Sequence, residues 1–158
     1  MTTVKEAASE FLAHQRIAVT GVSRKPAGHG SNAVYTRLRD RGYDVFAVNP
    51  NADRVEGDPA YPDLHSIPGG VDAVVIAAAP DTAEATMHEC AELGIKHTWM
   101  HRSVGKGSVC DDATVYGRRE GITVIDGGCP LMFAPTADGF HKVMRAVLTP
   151  LGRVPRAV

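Results

Sequence analysis

The chain contains no C-x-x-C pair, and its three cysteines, Cys90, Cys110 and Cys129, form an odd set. That argues against a disulfide framework or a cysteine-rich zinc site and for reduced thiols in a cytosol. No apolar run approaches the ~18 residues needed to span a bilayer. Lys5, Glu6 and Glu10 interrupt the N-terminus where a secretion signal would place its apolar core. Charge is nearly balanced at a formal -1, so bulk attraction to nucleic acid or an anionic membrane is not expected. Neither an internal repeat nor a second domain is visible. The expectation is one cytoplasmic domain over residues 1–158, with an ordinary 44% of hydrophobic residues to build its core.

What is present is organised around Ile17 to Ala33. Ile17-Ala18-Val19-Thr20 reads as a strand buried on both faces, as in a parallel sheet. Gly21 breaks it, a loop containing Arg24 and Lys25 follows, and Ser31-Asn32 can cap a helix whose stripe includes Val34 and Leu38. A strand, a glycine turn and a helix start offer backbone N–H groups and a positive dipole end to a phosphate. Gly28-x-Gly30-x-x-Ala33 matches the dinucleotide fingerprint by letters, but Gly28 stands eight residues beyond Thr20. The fingerprint needs its first glycine in the turn directly after the strand. Only Gly21 is there, and Ser23 replaces the glycine of closest approach. The second strand, from Tyr43 to Val48, ends in Asn49-Pro50 and not in the acid that would hold a ribose 2′-OH.

Along the rest of the chain, periodicity predicts a helix over 3–14 and one that ends at Gly42. Residues 49–70 are turn-rich, with a short edge strand near Ala60-Tyr61 and one helical turn around Leu64 to Ile67. Val71 to Ala79 is the clearest central strand. Asp81 and Glu84 make a capping-box-like start for a helix to Leu93 that buries Ala83, Met87, Cys90 and Ala91. A strand from Ile95 to His101, the loop Arg102 to Gly107, a helix from Ser108 to Glu120 with Val109, Ala113 and Tyr116 inward, and a last strand from Ile122 to Asp126 follow. Residues 136–148 place Phe140, Val143, Met144, Val147 and Leu148 on one helix face. The tail carries Lys142, Arg145, Arg153 and Arg156 and has no acid beyond Asp138, which suits a solvated basic end or a phosphate or partner contact.

Strands alternating with helices imply a doubly wound parallel sheet in an α/β/α three-layer arrangement, Rossmann-like, with strand order 3-2-1-4-5-6. The loop after the first strand and Ala78-Ala79-Pro80 then bound one crevice, with Asn49-Pro50, His101 and Asp126 to Cys129 on its rim. Cys129 beside His101 would make a nucleophile for acyl transfer, with Asp126 to orient the imidazole. The apolar neighbours Ile125, Leu131 and Met132 speak instead for a lining thiol, and no catalytic residue is assigned. His97 and His101 share a strand face with Trp99, but no third ligand makes a metal site.

In this order, IAVTGVSRKP, Gly42-Tyr43-Asp44-Val45, Val48-Asn49-Pro50, Tyr61-Pro62, VDAVVIAAAP, Ala91-Glu92-Leu93-Gly94-Ile95-Lys96 and Gly121-Ile122-Thr123-Val124 resemble the stand-alone CoA-binding domain proteins. These are relatives of the CoA domain of the succinyl-CoA synthetase alpha subunit, and the likeness runs from about residue 10 to 133. The resemblance implies a Rossmann-like fold that binds CoA or an acyl-CoA in the crevice, with no established reaction. It makes Gly21, Val22, Ser23, Arg24 and Lys25 the phosphate-holding segment, Asn49-Pro50 the adenine side, and Ala78-Ala79-Pro80 the wall beside the pantetheine arm. His101 departs from the glutamine common in related sequences. The synthetase domain with the phosphorylated histidine is missing, so ligase chemistry is not implied. The alternative is an NAD(P)-dependent oxidoreductase or redox sensor; a third class is a partner-binding module that uses the basic tail.

Overall fold

The computed structural model describes residues 2–25, 29–103 and 107–158. Gly28 and the middle of the loop from Arg102 to Gly107 lie outside the described residues. The elements in chain order are α1 (Val4–Leu12), β1 (Arg16–Thr20), α2 (Gly30–Asp40), β2 (Asp44–Val48), β3 (Arg54–Val55), β4 (Asp58–Tyr61) and β5 (Ala73–Ile76). They continue with α3 (Pro80–Glu92), β6 (His97–Met100), α4 (Asp111–Arg119), β7 (Thr123–Asp126), a 3₁₀ turn at Pro130–Met132 and α5 (Gly139–Leu148). One sheet runs β3-β4-β2-β1-β5-β6-β7. All its pairings are parallel except the β3–β4 hairpin. With β4 as the third strand, this is the Rossmann-like order expected from the sequence.

The sheet is buried on both faces, which is why its strands read as continuous apolar runs. Side chains alternate across it. Ile17, Val19, Ala73, Val75, Trp99 and Ile125 pack under α1, α2 and the start of the C-terminal segment. Ala18, Val74, Ile76, Met100 and Val124 pack on the opposite side with Ala83, Met87 and Cys90 of α3 and Ala113 of α4. Trp99 anchors the first layer. It is fully buried, meets Phe11 edge-on at 5.4 Å and donates from Nε1 to the Gly127 carbonyl at 2.8 Å.

Several local expectations are corrected. Ser31 and Asn32 do not cap α2, which starts one residue earlier with His29 as its N-cap. Both are buried in its first turn and reach back to the preceding loop. Asp81 and Glu84 form no capping box; Pro80 opens α3 and no side chain caps it. The box is instead at α1, where Thr3 and Glu6 satisfy each other's backbone N–H groups. The region around Leu64 is no helix, only a turn closed by a hydrogen bond from Ile67 N to Leu64 O. Asp138 caps α5 through His141 N, so that helix is shorter than 136–148. Ala91, Val109 and Tyr116 are only partly buried, and Val109 precedes α4.

β3 was not expected. It forms a two-residue hairpin with β4 in which both Glu56 (φ 50°) and Gly57 (φ 82°) are left-handed, a geometry that ordinarily selects Asn-Gly or Asp-Gly. The cost at Glu56 is offset by contacts to α2: its carboxylate accepts from Asn32 Nδ2 at 2.8 Å and its carbonyl from Arg39. The tail is also not a loose end. Gly128 N donates to Arg153 O, Val4 N to Arg156 O and Val158 N to Thr2 O.

Candidate functional site

The carboxyl ends of β1, β2 and β5 open into a crevice of about 570 Å³. It lies where the chain reverses direction across the sheet, between β1 and β5, the position at which open α/β sheets take ligands. The strand ends are held by hydrogen bonds that extend the ladders. Gly21 N donates to Val48 O, Asn49 N to Tyr61 O, and Ala77 N to Thr20 Oγ1. That last bond takes Ala77 out of the β5 ladder, so the strand ends at Ile76 and Ala77 to Ala79 run along the crevice wall. Gly21 is required here. Its φ is 73°, and a Cβ would stand 2.7 Å from the Ala77 carbonyl oxygen and 2.8 Å from Ala78.

The loop after β1 is held rigidly before it reaches the rim. Ser31 Oγ donates to Gly21 O, and Asn32 brackets Ser23 by accepting from its N–H and donating to its carbonyl, both at 2.8 Å. Lys25 N donates to Ser23 Oγ, and Arg24 and Lys25 stand exposed beyond it. Neither α2 nor α3 has a side-chain cap at its start, but Pro80 brings no N–H to α3 and Thr82 N donates to Ala79 O.

The structure gathers Gly21, Ser23, Asn49, Pro50, Ala78 and Ala79 around this crevice. Arg24 and Lys25 are exposed beyond Ser23 and do not line it, and Pro80 follows its wall as the first residue of α3. Val22 points into the core and is fully buried. His101 and Cys129 do not line it, contrary to expectation. Burial pushes the His101 imidazole down to about 4, helped by nearby His141, and the ring packs against Gly30. Cys129 is 2% exposed among Trp99, Leu131 and Phe133, and burial pushes its thiol up to about 12. Among the described residues no hydrogen bond joins the two, so a thiolate–imidazole pair is not assembled.

Sequence reading missed the opposite wall: Pro62, Asp63 and Leu64 after β4, and Thr82, Ala85, Thr86 and Glu89 of α3. The signal was available. Those α3 positions fall at i, i+3, i+4 and i+7, a second stripe beside the apolar one, mostly of small residues. Asp63, His65 and Glu89 bring ligand-type atoms within 4.8 Å of one another at this edge. Glu89 accepts from Leu64 N and stands 3.1 Å from His65 Nδ1, and Asp63 Oδ1 accepts from Ser66 N and Oγ.

The end of β2 bears on nucleotide choice. Asn49 uses its amide on its own backbone, donating to Val22 O and accepting from Asn51 N, both at 2.8 Å. The residue that follows β2, where a dinucleotide site carries its ribose-binding acid, is thus an amide that is already engaged.

Residues 15–135 match the CoA binding domain family. The chain belongs to that family. A stretch of 82 residues is 38% identical to acetate–CoA ligase [ADP-forming] II of Archaeoglobus fulgidus, covering 51% of this chain but only 12% of the ligase. The uncharacterized protein YneT of Bacillus subtilis is 30% identical over 73% of this chain and 82% of its own. Among solved structures, a hypothetical protein from Pyrococcus horikoshii superposes with a TM-score of 0.73 at 26% identity, over 81% of this chain and 87% of that one. No helix among the described residues is long and apolar enough to cross a membrane.

Proposed function

We propose that the crevice at the carboxyl ends of β1, β2 and β5 binds coenzyme A or an acyl-CoA. The observation that carries this reading is a 570 Å³ opening walled by Gly21, Ala77, Ala78, Ala79 and Ala85 in a chain of the CoA-binding family. Small side chains leave room for a thin pantetheine arm. Arg24 and Lys25 at the end of the loop from Gly21 supply two cations for the phosphates, and Asn49-Pro50 forms the adenine side.

The reading is of a binding site without an assigned reaction, in a cytoplasmic protein with free thiols. The chain spans a small part of the ligase it matches, so that enzyme's overall activity is not transferred to it. An NAD(P) site is the competing reading, disfavoured by Asn49. A thermal-shift panel of CoA, acetyl-CoA, NAD and NADP separates them. A ligand at 100 times its dissociation constant stabilises by about 2.7 kcal/mol. CoA species are expected to raise the melting temperature and NAD to leave it unchanged; a shift with NAD and none with CoA would reverse the assignment.

A further inference from the structure

Helix α5 leaves its apolar side in solvent. Phe140, Val143, Val147 and Leu151 are 70%, 64%, 56% and 65% exposed, while among the hydrophobic residues of the helix only Leu148 is buried. Phe140, Val143 and Val147 lie on α5 and Leu151 in the turn just beyond its end, and their spacing of 3, 4 and 4 residues makes one narrow seam, the pattern of a helical segment that pairs with another. Of the exposed residues between 139 and 152, only Lys142 is charged; the others besides the four are Gly139, Ala146, Pro150 and Gly152. Arg145 is turned inward, over the Phe133 ring at 5.0 Å, and Asp138 is engaged by Arg37 at 2.9 Å. Among the described residues the other exposed large apolar side chains, Leu93 and Val115, are single, as scattered surface residues commonly are.

The geometry points to a second copy of this chain as the occupant, with α5 packed antiparallel on its symmetry mate. The seam is nearly palindromic about Arg145-Ala146. A two-fold axis there sets Phe140 against the other copy's Leu151 and Val143 against the other copy's Val147. Such self-complementarity is what an isologous dimer interface requires. Ala146 lies next to the axis, and with Gly139 it lets the helix backbones approach. Antiparallel pairing separates the two Lys142 side chains by about 10 Å along the helix axis, so no like charges meet. The exposed seam amounts to about 400 Å², a size at which a monomer's apolar patch is commonly an interaction site. It would form the apolar centre of an interface that ordinarily takes about 800 Å² per partner. The seam is separate from the crevice, and the proposal does not depend on what the crevice binds.

Sedimentation equilibrium of the whole chain from 1 to 200 μM tests the proposal together with two variants. The wild type is expected to be a dimer in the upper part of that range. Val147→Glu should raise the dimer dissociation constant at least tenfold with an unchanged circular dichroism melt. Ala146→Cys places a thiol beside the axis and should give a covalent dimer under mild oxidation that the wild type, with its own three cysteines, does not give. A wild type that stays monomeric at 200 μM would overturn the proposal and leave the seam to a different protein. So would a dimer that Val147→Glu leaves intact, or Ala146→Cys that cross-links no faster than the wild type.

Discussion

The sheet carries two regions built on opposite rules. Around Trp99, large side chains interlock: Phe11 and Phe133 lie 5.4 Å from the indole, and its N–H is satisfied by Gly127. At the strand ends a few residues away, one wall is glycine and alanine, helix starts lack side-chain caps, and Ser31 and Asn32 are spent on shaping the loop. The first region excludes ligand and water and forces its titratable groups to be neutral, as at Cys129. The second leaves volume unfilled. The difference explains why Cys129, adjacent in sequence to the glycine turn at the rim, belongs energetically to the core.

The contrast can be broken most strongly at its packed side. Trp99→Ala is expected to cost about 3–5 kcal/mol of stability, measured by urea unfolding, through loss of packing and a cavity the sheet cannot close. An intermediate effect comes from His101. An unfolded histidine takes up a proton near pH 6.5, whereas the folded one resists until about 4. Between those values the unfolded state binds more protons, so this contribution is complete above pH 6.5 and is lost as pH falls toward 4. The full effect is of order 3 kcal/mol, and stability measured from pH 7 to 4 should fall less steeply in His101→Gln. At the boundary of the two regions, Gly21→Ala should cost about 2 kcal/mol, because its φ is positive and its Cβ would strike backbone. On the open side, Arg24→Ala with Lys25→Ala should change stability by under ~0.5 kcal/mol. The same pair should weaken CoA binding and flatten its salt dependence, read by calorimetry at two ionic strengths, since screening acts on exposed ion pairs.

The sheet order was legible because period and burial are coupled. Ile17 to Thr20 and the run through Ile76 can only be central parallel strands, and Gly42, Gly94 and Gly121 mark the helix ends with φ of 86°, 71° and 75°. The Glu56-Gly57 hairpin was not legible, because the left-handed Glu56 is held by Asn32 and Arg39, which are distant in sequence. Ser31 and Asn32 show the same limit. Their residue types fit a cap, but the loop after β1 was a competing partner for the same side chains. On α5, periodicity identified an apolar face; it carried no information on whether that face is covered within the chain. In the crevice, the β1 and β5 walls followed from strand order, while the α3 wall lay in a stripe of mostly small residues, Thr82, Ala85, Thr86 and Glu89, whose spacing was visible but whose chemistry marks no ligand.

The crevice assignment is tested most directly by calorimetric titration of CoA into the wild type and into Ala85→Phe. Ala85 is exposed on α3 and lines the opening, so phenylalanine there fills the crevice without disturbing the core. One CoA per chain is expected for the wild type, with at least tenfold weaker binding and an unchanged melting temperature for Ala85→Phe. Equal affinity in the two proteins, or no CoA binding by the wild type, would contradict the site.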